Sequence, residues 1–572
     1  MSRQNLDNAG WNVPRILWIV LVVALLIRLW GIGHGLPFSY INDEYHEVMR
    51  ALQLGAGSFN FDRIGKGGFY LLLFVEYGVY FVWLKLTGAV ASAEEFARMF
   101  ARDPSAFYLM GRATAALCGV LTVAMLYQVG RKAYSKSAGL LAALFLAINV
   151  LHIDLSRRIG VDVPMVLLAT VALYFAHGIV TTGRRTDYLM AALFAALATT
   201  TKLPGVLVLL PLLVAHTYNV ASIGGGARTW IVSRNLWLAA AVFCAVLVVT
   251  NPSIIFVADV LQYTFGSTPA VDDEVAESAV VVAGAQTRPN LYVFYFNAMA
   301  DSMGWPLMLL GLAGSAYAFF RRAPADAMLL SYAAVNYVVI ASTNSASLFY
   351  PRYALPIIVV LVLLGGRALA ELVHWRGRPH WAVLAAVLAA LLVMPARQAG
   401  MTAYALTKPD SRTLAKEWFE ANVPAGSKVL IEGGKIGAVR QSVPLQDSRE
   451  AMQRRIEYFR AVEPRQAEFL ERKLAVHEGV GYDLQLVRLD SIDSLDFYTA
   501  QGVEYFVVRP GTFLRELRRS GLGSASLLED LRTDRRATLL KRFEGDSPEQ
   551  IGPTIEIYRL RRLPGDTPST SP

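Results

Sequence analysis

From residue 13 to residue 396 the sequence returns again and again to apolar runs of about 20 residues. This recurrence constrains the fold more than any other feature. The runs fall at 13–30, 107–129, 138–153, 161–180, 187–200, 203–220, 235–250, 298–320, 327–343, 354–373 and 380–396. A chain of 572 residues that is 54% hydrophobic and only 17% charged, arranged in this way, reads as a polytopic α-helical membrane protein. No small-residue cleavage site follows 13–30, so that run reads as a retained span and not a cleaved signal. The net charge of +9 is spread over short loops and not gathered on one soluble face, which argues against a nucleic-acid partner. Those loops carry Arg131, Lys132 and Lys136; Arg184 and Arg185; Arg228 and Arg234; Arg321 and Arg322; Arg376 and Arg378.

Basic loops stay on the cytoplasmic side. If the first run leads out and 107–129 leads in, every basic loop falls inside. The reading is then about eleven spans, a cytoplasmic N-terminus and a C-terminus outside. One segment disturbs the parity: 68–90 is long enough to span, and it carries Glu76 and Lys85. A charge at a bilayer centre costs roughly 2.5–3.5 kcal/mol. We therefore expect re-entrant or surface-lying helices there, within the first outer loop. Cys118 and Cys244 both sit in apolar runs and form no disulfide framework.

After Pro395 the texture changes. The division expected is a membrane domain over 1–400, a water-exposed α/β domain over 401–562, and a disordered Pro/Ser/Thr-rich tail over 563–572. In the α/β domain, 411–422 reads as an amphipathic helix and 454–474 as helical. Strands are expected at 428–431, 484–489, 505–508 and 555–560. The loop 251–296 is long and acidic, with Asp259, Asp272, Asp273, Glu274 and Glu277. It suits a lid or acceptor-binding element as well as a solvated loop.

The residues able to do chemistry cluster on the predicted outer side. Asp43 and Glu44 follow the first span, in NDEYHEVMR. Asp162 opens a helix after HIDLSRRIGV, where the helix dipole alone is a sufficient reason for it. Lys202 stands in TTTKLPG, where a snorkelling anchor is the plainer reading. Arg352 stands in SASLFYPRYALP, and Arg112 at the outer end of 107–129. Each has an ordinary explanation alone. Together at one membrane face they suit a site that neutralises a phosphate leaving group and activates a hydroxyl.

Five segments in order, NDEY, GRATAALCGVLTV, SRRIGVDVPMVLLAT, TTTKLPG and PRYALPIIVVLVLL, resemble the GT-C superfamily of glycosyltransferases. The resemblance is to the branch of protein O-mannosyltransferases and lipid A aminoarabinose transferases, and it extends over about 14–373. It implies a polyprenyl-phosphate sugar donor and inverting transfer to a lipid or protein hydroxyl on the extracytoplasmic face of the cell envelope. It also implies juxtamembrane helices after the acidic pair. By this resemblance Asp43 matches the general base, Glu44 its acidic neighbour, and Asp162 the second-loop acid. Arg112 matches the arginine opening the second span, and Lys202 and Arg352 match residues that bind the lipid-linked phosphate. Many members have His-Pro-Pro where this chain has Lys66, Gly67 and Gly68, and Lys66 there can add charge toward the phosphate. No cofactor is expected. No His/Cys cluster has zinc spacing, and although Asp43 and Glu44 could hold a divalent cation, this branch often works without one.

GGG at 224–226 lies in a predicted cytoplasmic loop with no strand before it, so a nucleotide-sugar donor is disfavoured. The alternative is a transporter or flippase of lipid-linked sugars. That reading would usually come with repeat-related halves or helices broken at midplane.

Overall fold

The computed structural model describes residues 15–58, 66–251, 290–342, 350–375, 381–433, 442–462, 464–488, 494–511, 526–545, 547 and 550–561. Most of the acidic loop 251–296, the basic pair Arg376 and Arg378, and the tail lie outside them.

The protein is a polytopic helical membrane protein with a small sheet domain toward its C-terminus. Its first part runs α1 (Arg15–Leu29), α2 (Asn42–Gly55), α3 (Gly67–Leu86), α4 (Ala93–Arg102), α5 (Ser105–Ala133), α6 (Lys136–Ala147), α7 (Val150–Ser156), α8 (Asp162–Thr182) and α9 (Arg185–Thr201). After a 3-10 turn at Leu203–Val208 come α10 (Leu209–Ser222), α11 (Ala227–Ile231) and α12 (Arg234–Thr250). Then follow α13 (Leu291–Met303), α14 (Trp305–Arg321), α15 (Pro324–Ser342), α16 (Leu355–Trp375) and α17 (Trp381–Ala405).

Among the described residues eight helices are long and apolar enough to cross a membrane, and two bent pairs add two more. That makes up to ten, α3 included, against the eleven expected without it; α1 and α9, 15 and 17 residues long, are the shorter helices at positions where spans were expected. The run 298–320 is not one continuous helix. It breaks at Gly304 (φ +76°), where α13 and α14 meet at 115°. Helices α5 and α6 approach closely because both are glycine at the crossing: a Cβ on Gly130 would lie 2.7 Å from the Cα of Gly139. At the far end of the bundle, buried Arg367 of α16 pairs with buried Asp326 of α15.

α3 passes the length and composition test for a span. Its polar partners are the end of α12 and the first three turns of α5, where Thr114 donates to Glu76 at 2.8 Å. The Gly67 N–H donates to Asn251 at the end of α12, and Tyr77 Oη donates to the Phe107 carbonyl in the first turn of α5. The Tyr80 ring meets Phe96 of α4 edge-on. Its outward side, with Leu72, Val75, Val79, Val82 and Leu86, is exposed and apolar.

The second part contains α18 (Ser411–Asn422), β1 (Lys428–Gly433), α19 (Arg449–Val462), α20 (Pro464–Ala475), β2 (Asp483–Arg488), α21 (Leu495–Ala500), β3 (Tyr505–Val508), α22 (Ser526–Thr533), β4 (Ala537–Phe543) and β5 (Ile555–Leu560). The sheet order is β2-β1-β3-β5-β4, parallel through β1 and antiparallel at β5. β4 was not expected from the sequence. It is an exposed edge strand (ATLLKRF) without apolar alternation, held by its pairing with β5. The helical stretch 454–474 is two helices, α19 and α20.

This domain sits on the loop between α1 and α2. Tyr40 Oη meets Thr413 Oγ1 at 2.8 Å, and the Arg412 guanidinium lies 3.9 Å from the Tyr40 ring centre. His34 Nε2 stands 3.4 Å from the Asp410 carboxylate. Farther out, Arg472 reaches Glu94 and Arg102 reaches Glu478.

Candidate active site

The loop 30–41 hands the chain to α2, whose first turn carries Asp43 and Glu44. Adjacent helical residues point about 100° apart, whereas residues four apart share a face. Asp43 therefore points with Glu47, and Glu44 points elsewhere.

Glu44 enters the wall. Its side chain is fully buried and takes a bidentate pair from Arg112 of α5, with Nε at 2.8 Å and Nη2 at 2.7 Å. Ser39 Oγ and the Ile159 N–H also donate to it, each at 3.0 Å. Arg112 Nη1 donates to the carbonyls of Ile32 and His34 at 2.7 and 2.9 Å. The guanidinium of Arg112 is thus committed to Glu44 and to the loop, and it is 3% exposed. These two residues, singled out from the sequence as an acidic catalytic neighbour and a phosphate ligand, are brought to each other and away from the open site. They lock the loop before Asp43, with α5 and the 157–161 turn, into one unit.

On the other face of α2 three cation–carboxylate couples converge from five separate parts of the chain. Arg352, in the 3-10 turn Pro351–Ala354, donates to Asp43 at 2.5 Å. Lys202, in the extended turn after α9, donates to Asp162 at the start of α8 at 2.5 Å. Lys66, just before α3, donates to Glu47 at 2.7 Å. Aromatic faces order the cations: Lys202 Nζ lies 4.2 Å from the Tyr353 ring centre, and the Arg352 guanidinium lies 4.6 Å from that of Tyr350. Asp43 is the open member, with its side chain 52% exposed.

Burial by itself pushes the Asp43 carboxyl up. The Arg352 guanidinium outweighs it, helped by Lys66 and Lys202, and holds the carboxyl below its ordinary range. Glu47 is the reverse case. Burial raises its carboxyl, Lys66 draws it down, and the negative Asp43 and Asp162 push it up again, leaving it above the ordinary range.

The sequence reading did not single out Glu47. The available signal was its position, four residues after Asp43 on a short amphipathic helix. Among the described residues no group of three or more His, Cys, Asp or Glu is arranged to hold a metal ion. Asp43, Glu47 and Asp162 each already face a side-chain cation. Chemically the cluster is self-neutralised: three anions hold three cations that an incoming phosphate could draw away.

Residues 108–255 match the family described as dolichyl-phosphate-mannose-protein mannosyltransferase. No curated protein sequence matches the chain significantly. In fold the chain is similar to ArnT from Cupriavidus metallidurans bound to undecaprenyl phosphate, at 14% identity and TM-score 0.49, covering 96% of this chain and 98% of that one. It is also similar to the Archaeoglobus fulgidus oligosaccharyltransferase in complex with Zn and sulfate, at 16% identity and TM-score 0.45, covering 87% and 68%. The archaeal oligosaccharyltransferase AglB from the same organism, with an inhibitory peptide and a dolichol-phosphate, is similar at 14% identity and TM-score 0.42, covering 88% and 70%. Over 108–255, and in the ordered motifs, the chain is thus similar to the GT-C glycosyltransferases.

Proposed function

We propose that the protein transfers a sugar from a polyprenyl-phosphate donor to a hydroxyl of a lipid or protein acceptor, with Asp43 as general base. The observation that carries this reading is the convergence of the couples Arg352–Asp43, Lys202–Asp162 and Lys66–Glu47. The family's name, which couples a lipid phosphate to mannose, supports a donor of that kind.

In this reading the donor phosphate draws Arg352, Lys202 and Lys66 toward itself. An anion beside lipid is costly unless paired, and these are cations within reach of one another's carboxylates. Asp43 then loses its strongest partner and becomes a better base. It takes the proton of the acceptor hydroxyl as that oxygen bonds to C1 of the sugar. The C1–O bond to the phosphate breaks, and the polyprenyl phosphate leaves with its charge held by the three cations. A single displacement of this kind inverts the configuration at C1. Asp162 orients Lys202, and Glu44 with Arg112 fixes the loop that aims Asp43. The site faces the extracytoplasmic side and the N-terminus the cytoplasm, as the positive-inside rule directs.

The test is Asp43→Asn in the purified, lipid-reconstituted protein, with a radiolabelled polyprenyl-phosphate sugar. Transfer is expected to vanish while donor binding persists. Undiminished transfer would end the proposal, and continued movement of lipid-linked sugar across the bilayer without transfer would favour a flippase.

A further inference from the structure

Of the acids in the three couples Glu47 is the most closed off from solvent, ahead of Asp162 at 8% and Asp43 at 52% side-chain exposure. Its side chain is 2% exposed, against 39% for its partner Lys66. Oε1 takes the Lys66 ammonium at 2.7 Å, while Oε2 is buried and has no hydrogen-bond partner among the described residues. A buried carboxylate stays ionised only while a counter-charge is close. Here that counter-charge is a flexible, partly exposed lysine at the head of α3. Lys66 also acts on Asp43, so it stands where a phosphate drawn to Arg352 would attract it.

Among the described residues, the charged groups acting most strongly on Glu47 come from three places. On its own helix there is Asp43; from the head of α3 there is Lys66; from the head of α8 there is Asp162. Two of these are negative. If Lys66 swings to a phosphate, Glu47 is left buried, with one oxygen unpartnered and two acids nearby.

Resting on the glycosyl-transfer reading above, we infer that Glu47 is a positioning residue that stores Lys66 in the empty site. It gives Lys66 up to the donor phosphate by taking one proton from water onto its carboxylate. Phosphate binding is then a three-way exchange. The ammonium leaves Glu47 for the phosphate, a proton replaces it on Glu47, and no uncompensated charge remains buried. Glu47 touches neither sugar nor acceptor. It sets how tightly the donor is held and makes that affinity fall as pH rises. The resting site is thereby also kept from exposing an unpaired lysine to other anions.

The experiment is calorimetric titration of undecaprenyl phosphate into the full-length protein in nanodiscs. It is run in buffers of differing ionisation enthalpy, for wild type, Glu47→Gln and Lys66→Met. The lipid's own phosphate titrates in every sample and cancels in the comparison. Wild type is expected to take up about one more proton per lipid bound than Glu47→Gln. Its affinity should fall with pH more steeply, by up to tenfold per unit. Glu47→Gln should bind more tightly at pH 8, because Lys66 is no longer held back. Lys66→Met should bind weakly and also lose the extra proton, since Glu47 then lacks a partner in both states. Equal proton uptake in wild type and Glu47→Gln, or uptake retained in Lys66→Met, would overturn the inference and leave Asp43 as base untouched. Failure of the wild type to bind the lipid at all would overturn both.

Discussion

Arg352 donates to Asp43 at 2.5 Å although 309 residues separate them in sequence. The pair joins the turn before α16 to the first turn of α2 and keeps the proposed base masked until something competes for the guanidinium. Replacing Arg352 with Gln removes both a phosphate ligand and that mask. We expect kcat/KM for a polyprenyl-phosphate sugar to fall by about 10²–10³, the usual scale for losing one donor to a developing anion. Initial rates over a range of donor concentrations will measure this.

The same pair fixes the acid side of the pH profile. As the proposed base Asp43 would work only when ionised, and its carboxyl in the free protein lies below the ordinary aspartate range. The acid limb that Asp43 gives the kcat/KM profile should therefore lie below about pH 3.9, the ordinary value. In Arg352→Gln the limb should move upward, since burial then acts with less opposition. The linked stability has the same sign. A carboxyl depressed by folding stabilises above its unfolded value, and that contribution is lost as pH falls through the folded one. A limb that does not move would separate Arg352 from the base.

Glu44 and Arg112 form a buried, bidentate pair that also ties down the backbone of 32–39. Arg112→Ala leaves a fully buried carboxylate without its cation. A loss of about 3–5 kcal/mol is expected, the range for breaking a buried pair from one side. Thermal unfolding in detergent will report it. Arg112→Lys cannot reproduce the fork and should recover only part of the stability. If Arg112 instead served the phosphate, the lysine would restore donor affinity with little gain in stability.

Tyr40 links the sheet domain to the loop carrying the base. Arg412 lies 3.9 Å from its ring centre and Thr413 contacts its hydroxyl. A double-mutant cycle on Tyr40→Leu and Arg412→Ala should give a coupling of about 0.5–2 kcal/mol, the span for a cation over an aromatic face. Arg412→Ala should also lower kcat several-fold, because Asp43 lies three residues after Tyr40. A cycle with no coupling, and an unchanged kcat, would mean the domain rests on the loop without steering it.

Much of this architecture could be read from the linear chain, because hydropathy is a local property. Runs of apolar residues announce spans, and basic loops announce which ends share a side. These two signals were enough to put Asp43, Asp162, Lys202 and Arg352 at one end of the bundle, where they do lie together. What folding alone decided was who pairs with whom. Helical rotation turns neighbouring Asp43 and Glu44 to different faces, sending one toward solvent and the other into a buried clasp with Arg112. The same rotation brings in Glu47, which composition and motif passed over. The edge strand β4 was hidden for a related reason: its order comes from pairing with β5, a contact that no local pattern encodes.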